Sequence, residues 1–150
     1  MGISLKKHNE EAYKKVKDMF KESNKTAVVH PTGTGKTYIA LKWIEESRGK
    51  TIYVSPNNHI LNQVREEIER ARGNGEISEK QYKRYKEVKY ITYTSLMTLS
   101  KMERGYDNII LDEFHRCGAT EWGKGVDRLI KQSPSAKVLG MTATPVRAVD

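Results

Sequence analysis

The stretch from Val28 to Thr37 has the sequence VVHPTGTGKT and combines closely spaced glycines with a lysine and a threonine. Where such a loop joins a strand to a helix, several backbone N–H groups and the helix N-terminus point into one concavity, which favours an anion. Gly33 and Gly35 permit the tight curl of the backbone. Lys36 can reach the β- and γ-phosphates of a nucleotide, and Thr37 offers a hydroxyl ligand to Mg²⁺. The stretch predicts a phosphate-binding loop; the alternative is an ordinary glycine-rich turn before a helix.

Two adjacent carboxylates, Asp112 and Glu113, follow an apolar run in the sequence IILDEFH. If this run is a strand of an open α/β sheet, the pair lies at the carboxyl end of the strand, where such sheets bind their ligands. Asp112 offers the oxygen ligands that Mg²⁺ prefers, and Glu113 can accept a proton from a water that attacks a phosphoryl group. Taken alone, the pair is equally compatible with a cap on the next segment. Together with a phosphate-binding loop, it predicts the metal site and base of a nucleotide-hydrolysing centre.

These side chains need a framework, and short apolar runs alternate with amphipathic stretches along the whole chain. The runs are mostly β-branched or aliphatic and are bounded by turn residues, which is typical of strands. The predicted strands are Thr26–His30, Thr51–Ser55, Tyr90–Thr94, Asn108–Asp112 and Lys137–Met141. Since runs such as NIILD and KVLGM are apolar on both sides, they predict an α/β fold with a parallel sheet and helices on both faces. Right-handed crossovers are expected between the strands.

Between the strands, apolar residues recur with helical spacing and predict helices with one buried face. The clearest faces contain Ala12, Tyr13, Val16, Met19 and Phe20; Ile60, Leu61, Val64 and Ile68; and Trp122, Val126, Leu129 and Ile130. Gly49 and Gly73 are expected to end helices in the left-handed conformation. The polar and basic segment 73–89 is predicted to be a helical excursion on the surface after a Gly-Asn-Gly turn. Its residues 82–86 mix aromatic and basic side chains, which suits either nucleic acid or a solvated helix face.

The composition limits the class of protein and of partner. The chain has 150 residues, the size of one domain with a sizeable core. Its 27 Lys and Arg exceed its 19 Asp and Glu and give a net charge of +8, which favours nucleic acid over an anionic membrane. Its single cysteine, Cys117, cannot form an internal disulfide, so a reducing compartment is expected. Since no apolar run approaches the roughly 18 residues of a membrane helix, we expect a cytoplasmic protein without a membrane partner.

Three motifs occur in an order that resembles a known superfamily. PTGTGKT (31–37), LDEFH (111–115) and TATP (142–145) look like motifs I, II and III of the superfamily 2 helicases and translocases, and the form DEFH is typical of the DExH group. YVSPNNHILNQV (53–64) resembles motif Ia, and ITYTSLM (91–97) resembles the next motif that contacts the nucleic-acid backbone. The branch with the type III restriction subunit and bacterial DEAD/DEAH-like helicases is the most similar. The resemblance covers essentially the whole chain and implies a RecA-like P-loop NTPase domain.

The resemblance also implies a role for each matching residue, with ATP and Mg²⁺ as cofactors. The triphosphate and its Mg²⁺ would be held by Gly33, Thr34, Gly35, Lys36 and Thr37, and the Mg²⁺ also by Asp112. Glu113 would be the catalytic base, and His115 would link the nucleotide site to Thr142 and Thr144. The phosphates of a single strand of DNA or RNA would contact Ser55, Pro56, Asn57, Thr94 and Ser95. Phosphate contacts position a strand without selecting its sequence.

Asn9 stands where many relatives have a glutamine that recognises adenine. Its amide offers the same donor and acceptor on a shorter arm, and the alternative is that it caps the first helix. The family builds its ATP site between two similar α/β domains, of which the second supplies arginines. Because the chain stops shortly after TATP, residues 1–150 are expected to be a single motor domain, with the second RecA-like domain absent from this chain.

The expected function is that of an N-terminal motor domain that couples ATP hydrolysis to nucleic-acid unwinding or translocation. One alternative is the duplex DNA translocase of a restriction or remodelling complex, which has the same motifs. An alternative of another class is a non-catalytic nucleic-acid binding module. The presence of Lys36, Asp112 and Glu113 argues against the non-catalytic alternative.

Overall fold

A computed structural model describes residues 2–3, 5, 7–29, 33–98, 105–114 and 120–142 of the chain. Its helices are α1 (Lys7–Phe20), α2 (Gly33–Glu46), α3 (Asn58–Gly73), α4 (Glu79–Lys86), α5 (Tyr93–Thr98) and α6 (Thr120–Gln132). Its strands are β1 (Lys25–Val29), β2 (Thr51–Ser55), β3 (Lys89–Thr92), β4 (Asn108–Asp112) and β5 (Lys137–Thr142). No helix within the described ranges is both long and apolar enough to cross a membrane.

The five strands form one parallel sheet in the order β1-β5-β4-β2-β3. Successive residues of a strand point to opposite faces of the sheet, and the core is divided accordingly. Tyr53, Ile110 and Leu139 pack on one face with α1, α2, α3 and α4. Ile52 and Ile109 pack on the other face with α5 and α6. The predicted α/β class, a parallel sheet with helices on both faces, is therefore confirmed.

The strand boundaries match the predictions at β2 and β4 and differ at the ends of the others. β1 begins one residue earlier than predicted, and β5 continues to Thr142. The prediction of a strand over Tyr90–Thr94 is wrong at its end, because β3 stops at Thr92. The Thr92 hydroxyl oxygen accepts a hydrogen bond from the backbone N–H of Ser95 at 3.1 Å, a helix-capping contact that begins α5 at Tyr93.

The described members of the predicted helix faces are buried or partly buried, except for Met19 of α1. Tyr13, Val16 and Phe20 are buried, but Met19 is 41% exposed. Neighbouring residues of an α-helix are about 100° apart around its axis, so Met19 points away while Phe20 stacks on Trp43 with ring centroids 5.1 Å apart. In the other two faces, Leu61, Val64, Ile68, Val126 and Leu129 are buried and Ile60 and Ile130 are partly buried, whereas the Trp122 side chain lies outside the described part of the structure.

The segment 73–89 is not the surface excursion that the sequence predicted. It forms α4, and the residues Ile77, Tyr85 and Val88 are buried in the same core cluster as α1, α2 and α3. The Tyr85 hydroxyl donates a hydrogen bond to the Leu41 carbonyl oxygen at 2.9 Å, which joins α4 to α2. Its polar composition misled because a few well-spaced apolar residues suffice to bury one side of a short helix.

Of the two glycines predicted to end helices in the left-handed conformation, one is confirmed. Gly49 has φ 91°, shortly after α2. Helix α3 instead continues through Gly73, its cap Asn74 is right-handed, and the left-handed residue is Gly75 with φ 73°. The turn after α3 therefore lies two residues later than predicted.

Candidate active site

Lys36 and the two carboxylates, which are far apart in the chain, meet at the carboxyl edge of the sheet. Lys36 lies in the first turn of α2, and its Nζ is 2.7 Å from Asp112 Oδ1 and 3.3 Å from Glu113 Oε1. The side chains of Lys36 and Asp112 are 6% and 1% exposed, whereas that of Glu113 is 23% exposed. Burial reduces solvent screening, so the Coulomb attraction between these charges is less screened than it would be on the surface. The structure thus brings three predicted site residues into one cluster.

The backbone changes conformation where the carboxylates leave the sheet. Asp112 is the last residue of β4 and is paired with Met141 of β5. Glu113 follows with φ 54°, and no other described non-glycine residue has a positive φ. This left-handed conformation costs a non-glycine residue about 1 to 3 kcal/mol and is often found at functional sites. Here it turns the chain out of the strand and leaves the Glu113 side chain partly accessible beside the buried Asp112.

Two buried tyrosines, Tyr53 and Tyr93, also hold Asp112. The Tyr53 hydroxyl donates to Asp112 Oδ2 at 2.9 Å, and the Tyr93 hydroxyl donates to the Asp112 carbonyl oxygen at 2.8 Å. Burial, together with the adjacent Asp112 carboxylate, raises the pKa of Tyr53 well above its ordinary value, which keeps this phenol a donor.

Sequence reasoning missed both tyrosines as site residues. The signal was that a hydroxyl at the centre of an apolar strand, as in TIYVS, needs a buried partner. The sequence does not identify the group that accepts the hydrogen bond of this hydroxyl.

The described residues contain no group of three or more carboxylate, histidine or cysteine side chains that could hold a metal ion, but this cluster supplies two carboxylates. Two carboxylates against one ammonium leave an excess of one negative charge. Among the described residues, Asp112 Oδ1 is buried and has no hydrogen bond, since Lys36 Nζ approaches it closely but not in hydrogen-bond geometry. A carboxylate oxygen in this state suits a hard cation such as Mg²⁺. The residues present therefore fit the predicted metal.

The other predicted nucleotide-binding residues lie in α1 and α2. Gly33, Thr34 and Gly35 form the first turn of α2, and Thr37, which is partly buried, follows Lys36. Asn9 is 3% exposed and lies two residues inside α1, so it is not at the position of a helix cap. Helix α1 packs on α2 and β1, the elements on either side of the predicted phosphate loop.

The predicted nucleic-acid residues lie at the end of β2 and directly after β2 and β3, which are neighbours in the sheet. Asn57, Thr94 and Ser95 are exposed. Ser55 and Pro56 are buried, and the Ser55 hydroxyl donates to the Asn57 carbonyl oxygen at 2.9 Å. The structure does not support direct side-chain contacts from these two residues.

Asn57 also has a structural role, because its side-chain oxygen caps α3 by accepting a hydrogen bond from the backbone N–H of Ile60 at 2.9 Å. The cap uses this oxygen and leaves the amide group as a donor. Asn57 therefore combines an internal contact with an exposed position at the edge of the sheet.

Of the predicted coupling residues, Thr142 lies in the described part of the chain. It is the last residue of β5, fully buried, and paired with Val29 at the end of β1. His115 and Thr144 lie outside the described residues. Thr142 is thus adjacent to the strand that leads into the predicted phosphate loop.

The parallel sheet, with Lys36 of α2 meeting the carboxylate pair at the end of β4, is the arrangement of a RecA-like ATPase domain of the superfamily 2 helicase type. Residues 2–147 match the family model of the type III restriction enzyme res subunit, and the chain belongs to this family. The predicted resemblance is confirmed. No curated protein is a significant match to the sequence.

Solved structures of such motor proteins are similar to the chain. The SWI2/SNF2 ATPase core of Sulfolobus solfataricus, in complex with double-stranded DNA, has a TM-score of 0.73 and 17% identity over 97% of this chain and 33% of that one. The Hef helicase domain of Pyrococcus furiosus has a TM-score of 0.63 and 26% identity over 92% of this chain and 33% of that one. The UvsW helicase of bacteriophage T4 has a TM-score of 0.66 and 18% identity over 96% of this chain and 55% of that one. The chain thus spans between a third and about half of these three proteins.

Proposed function

We propose that this chain binds and hydrolyses ATP as the first motor domain of a DExH-type enzyme that moves along nucleic acid. The observation that carries the proposal is the meeting of Lys36 Nζ with Asp112 Oδ1 at 2.7 Å and Glu113 Oε1 at 3.3 Å. A lysine at the N-terminus of a helix, facing two carboxylates at a strand end, has the groups that phosphoryl transfer needs: a cation for the phosphates, a metal ligand and a base.

Each residue of the cluster has a defined role in this proposal. The backbone of Gly33, Thr34 and Gly35 and the Lys36 ammonium would bind the phosphates. Asp112 and the Thr37 hydroxyl would hold Mg²⁺, which neutralises phosphate charge when it is bound. Glu113 would accept the proton of the attacking water, and its partial exposure gives that water access. Asn9 lies on α1, which packs on α2 and β1, and would contact the adenine.

A second motor domain is part of the proposal. Lys36 Nζ lies against both carboxylates of the pair. An arginine supplied from another domain stabilises the charge of the transferring phosphoryl group and accelerates such reactions about 10³- to 10⁵-fold. We infer that this domain alone binds nucleotide but hydrolyses it slowly.

Nucleic acid would run along the edge of the sheet formed by the ends of β2 and β3. Asn57, Thr94 and Ser95 are exposed there and can donate hydrogen bonds to phosphate oxygens. The net charge of +8 favours the approach of a polyanion. The contacts are to the backbone, so we propose binding without sequence preference, to a single strand of DNA or RNA.

A duplex translocase is the second candidate, and one comparison favours it. The structure with the TM-score of 0.73 is an ATPase core in complex with double-stranded DNA. A helicase separates a labelled strand from a duplex, whereas a translocase displaces only the third strand of a triplex. Strand displacement and triplex displacement by the complete protein distinguish these two functions.

The phosphate-binding proposal is tested by the Lys36→Ala substitution. Charge-assisted hydrogen bonds contribute about 1.5 to 3 kcal/mol each, so we expect the affinity for a fluorescent ATP analogue to fall at least about tenfold. Lys42→Ala is the matched control, because this lysine lies on the same helix with its Nζ 3.5 Å from Glu45. Equal affinities of the Lys36 variant and the control would refute the phosphate site.

The catalytic proposal is tested by the Glu113→Gln substitution in the complete protein. Loss of a general base lowers turnover about 10²- to 10⁴-fold, whereas nucleotide binding is expected to persist because Lys36 is retained. Turnover is measured as nucleic-acid-stimulated ATP hydrolysis, and nucleotide binding is measured with the fluorescent analogue. Wild-type turnover in this variant would exclude Glu113 as the base.

A further inference from the structure

We propose that Tyr53 and Tyr93 are positioning residues that fix the orientation of the Asp112–Glu113 segment for metal binding and water activation. Neither tyrosine belongs to the residues assigned above to phosphate, metal or base. The inference rests on the proposed ATPase function and extends it to residues of β2 and α5.

Tyr53 fixes the plane of the Asp112 carboxylate. The terminal torsion of an aspartate is broad, so one contact does not determine where its two oxygens point. Here Oδ1 lies 2.7 Å from Lys36 Nζ, and Oδ2 accepts the Tyr53 hydroxyl at 2.9 Å. Because both side chains are buried, water could not replace the Tyr53 hydroxyl as the partner of Oδ2 if that hydroxyl were removed. The Tyr53 hydroxyl therefore keeps Oδ1 directed towards Lys36 and the predicted metal.

Tyr93 fixes the peptide that joins the two carboxylates. Its hydroxyl donates to the Asp112 carbonyl oxygen at 2.8 Å, and that carbonyl belongs to the Asp112–Glu113 peptide. The orientation of this peptide plane is set by ψ of Asp112 and φ of Glu113, which is 54°. Holding the carbonyl therefore helps to keep Glu113 in its left-handed conformation, which directs its side chain to Lys36 Nζ at 3.3 Å.

The competing interpretation is that the two hydroxyls only satisfy buried polar groups. Tyr85 provides a matched control, because it is also fully buried and its hydroxyl lies within hydrogen-bond distance of a carboxylate, that of Glu45, and of a carbonyl, that of Leu41. Both of its acceptors lie on α2 in the turns after Thr37 and outside the carboxylate cluster. A purely structural role predicts that Tyr→Phe at Tyr53, Tyr93 and Tyr85 has the same kind of effect.

The test compares Tyr53→Phe, Tyr93→Phe and Tyr85→Phe in the complete protein. Affinity for a fluorescent ADP analogue is measured at increasing Mg²⁺ and in the presence of a chelator, and ATP turnover gives kcat and KM. We expect Tyr53→Phe to raise the Mg²⁺ concentration at half effect about tenfold while leaving the affinity in chelator unchanged. We expect Tyr93→Phe to lower kcat about tenfold with little change in KM. Tyr85→Phe is expected to change neither.

Two results would overturn the inference. One is a Mg²⁺ dependence of Tyr53→Phe equal to that of Tyr85→Phe, and the other is an unchanged kcat in Tyr93→Phe. The two variants are independent, so a failure of one to fold leaves the other as a test. Failure of the proposed function is recognised separately, because the wild-type protein would then bind no nucleotide or would bind it without regard to Mg²⁺.

Discussion

Arg84 on α4 contacts the end of α2, the helix that follows the predicted phosphate loop. Removal of the Arg84 side chain is expected to destabilise the domain. Its guanidinium donates to the carbonyl oxygens of Gly49 at 2.7 Å and Ser47 at 2.9 Å. Longer contacts reach the Ile44 carbonyl oxygen at 3.3 Å and the Thr51 hydroxyl at 3.4 Å. These acceptors include carbonyls at the end of α2, where a positive charge also interacts favourably with the helix dipole.

The expected loss in Arg84→Ala follows from the two short hydrogen bonds. Hydrogen bonds to a charged group contribute about 1.5 to 3 kcal/mol each, and the half-buried position of Arg84 favours the lower value. The free energy of unfolding should therefore fall by about 3 kcal/mol. For a domain of this size, each kcal/mol lowers Tm by about 2 to 4 °C, so we expect a decrease of about 6 to 12 °C.

The assay is urea unfolding followed by circular dichroism, together with a thermal scan. Lys83→Ala is the matched control, because it removes a cation from the neighbouring position of the same helix, where the side chain is exposed. Its stability is expected to equal that of the wild type. A loss below about 1 kcal/mol in Arg84→Ala would contradict the reasoning, because the bonds to Gly49 and Ser47 would then be no better than contacts with water.

Two further predictions concern pH and the turn after α2. Burial raises the pKa of Tyr53 and Tyr85 above the ordinary value of 10, so the folded state retains protons that the unfolded state loses. The free energy of unfolding should be constant below about pH 9 and fall above about pH 10 by up to about 1.4 kcal/mol per pH unit for each tyrosine. Urea unfolding at pH 7 to 11 measures this dependence, and a free energy of unfolding that does not change with pH would contradict the prediction. Gly49→Ala should lower the free energy of unfolding by about 1 to 3 kcal/mol, because φ is 91° and the new Cβ would clash with the Asp107 carboxylate. The same unfolding assay checks it, with Gly75→Ala as a control that has a φ of 73° but nothing within 4 Å of its Cβ.

Much of the fold could be predicted from the sequence because the strands of a parallel sheet are apolar on both sides. The bounds of β2 and β4 follow directly from the runs TIYVS and NIILD. The errors arose where a local contact competes with the pattern. Thr92 caps α5 and ends β3 early, and the residues between α3 and β3 are polar in composition although Tyr85 is fully buried.

For the candidate site too, some features could be predicted from the sequence and others could not. The types and spacing of Lys36, Asp112 and Glu113 predicted a phosphate-binding loop and a carboxylate pair, since each motif is continuous in sequence. The motifs do not reveal that Ser55 is buried and bonded internally, because burial depends on packing between elements.

The sequence by itself determined the class of fold and the residues that carry the proposed chemistry, because strand and helix periodicity and short motifs are local properties. Only the tertiary structure decided how the carboxylate pair is held. The contacts of Asp112 with Lys36, Tyr53 and Tyr93 join β4 to α2, β2 and α5. Such contacts are set by the order of strands in the sheet and by which buried hydroxyl reaches which acceptor, and neither is encoded in the spacing of residues along the chain.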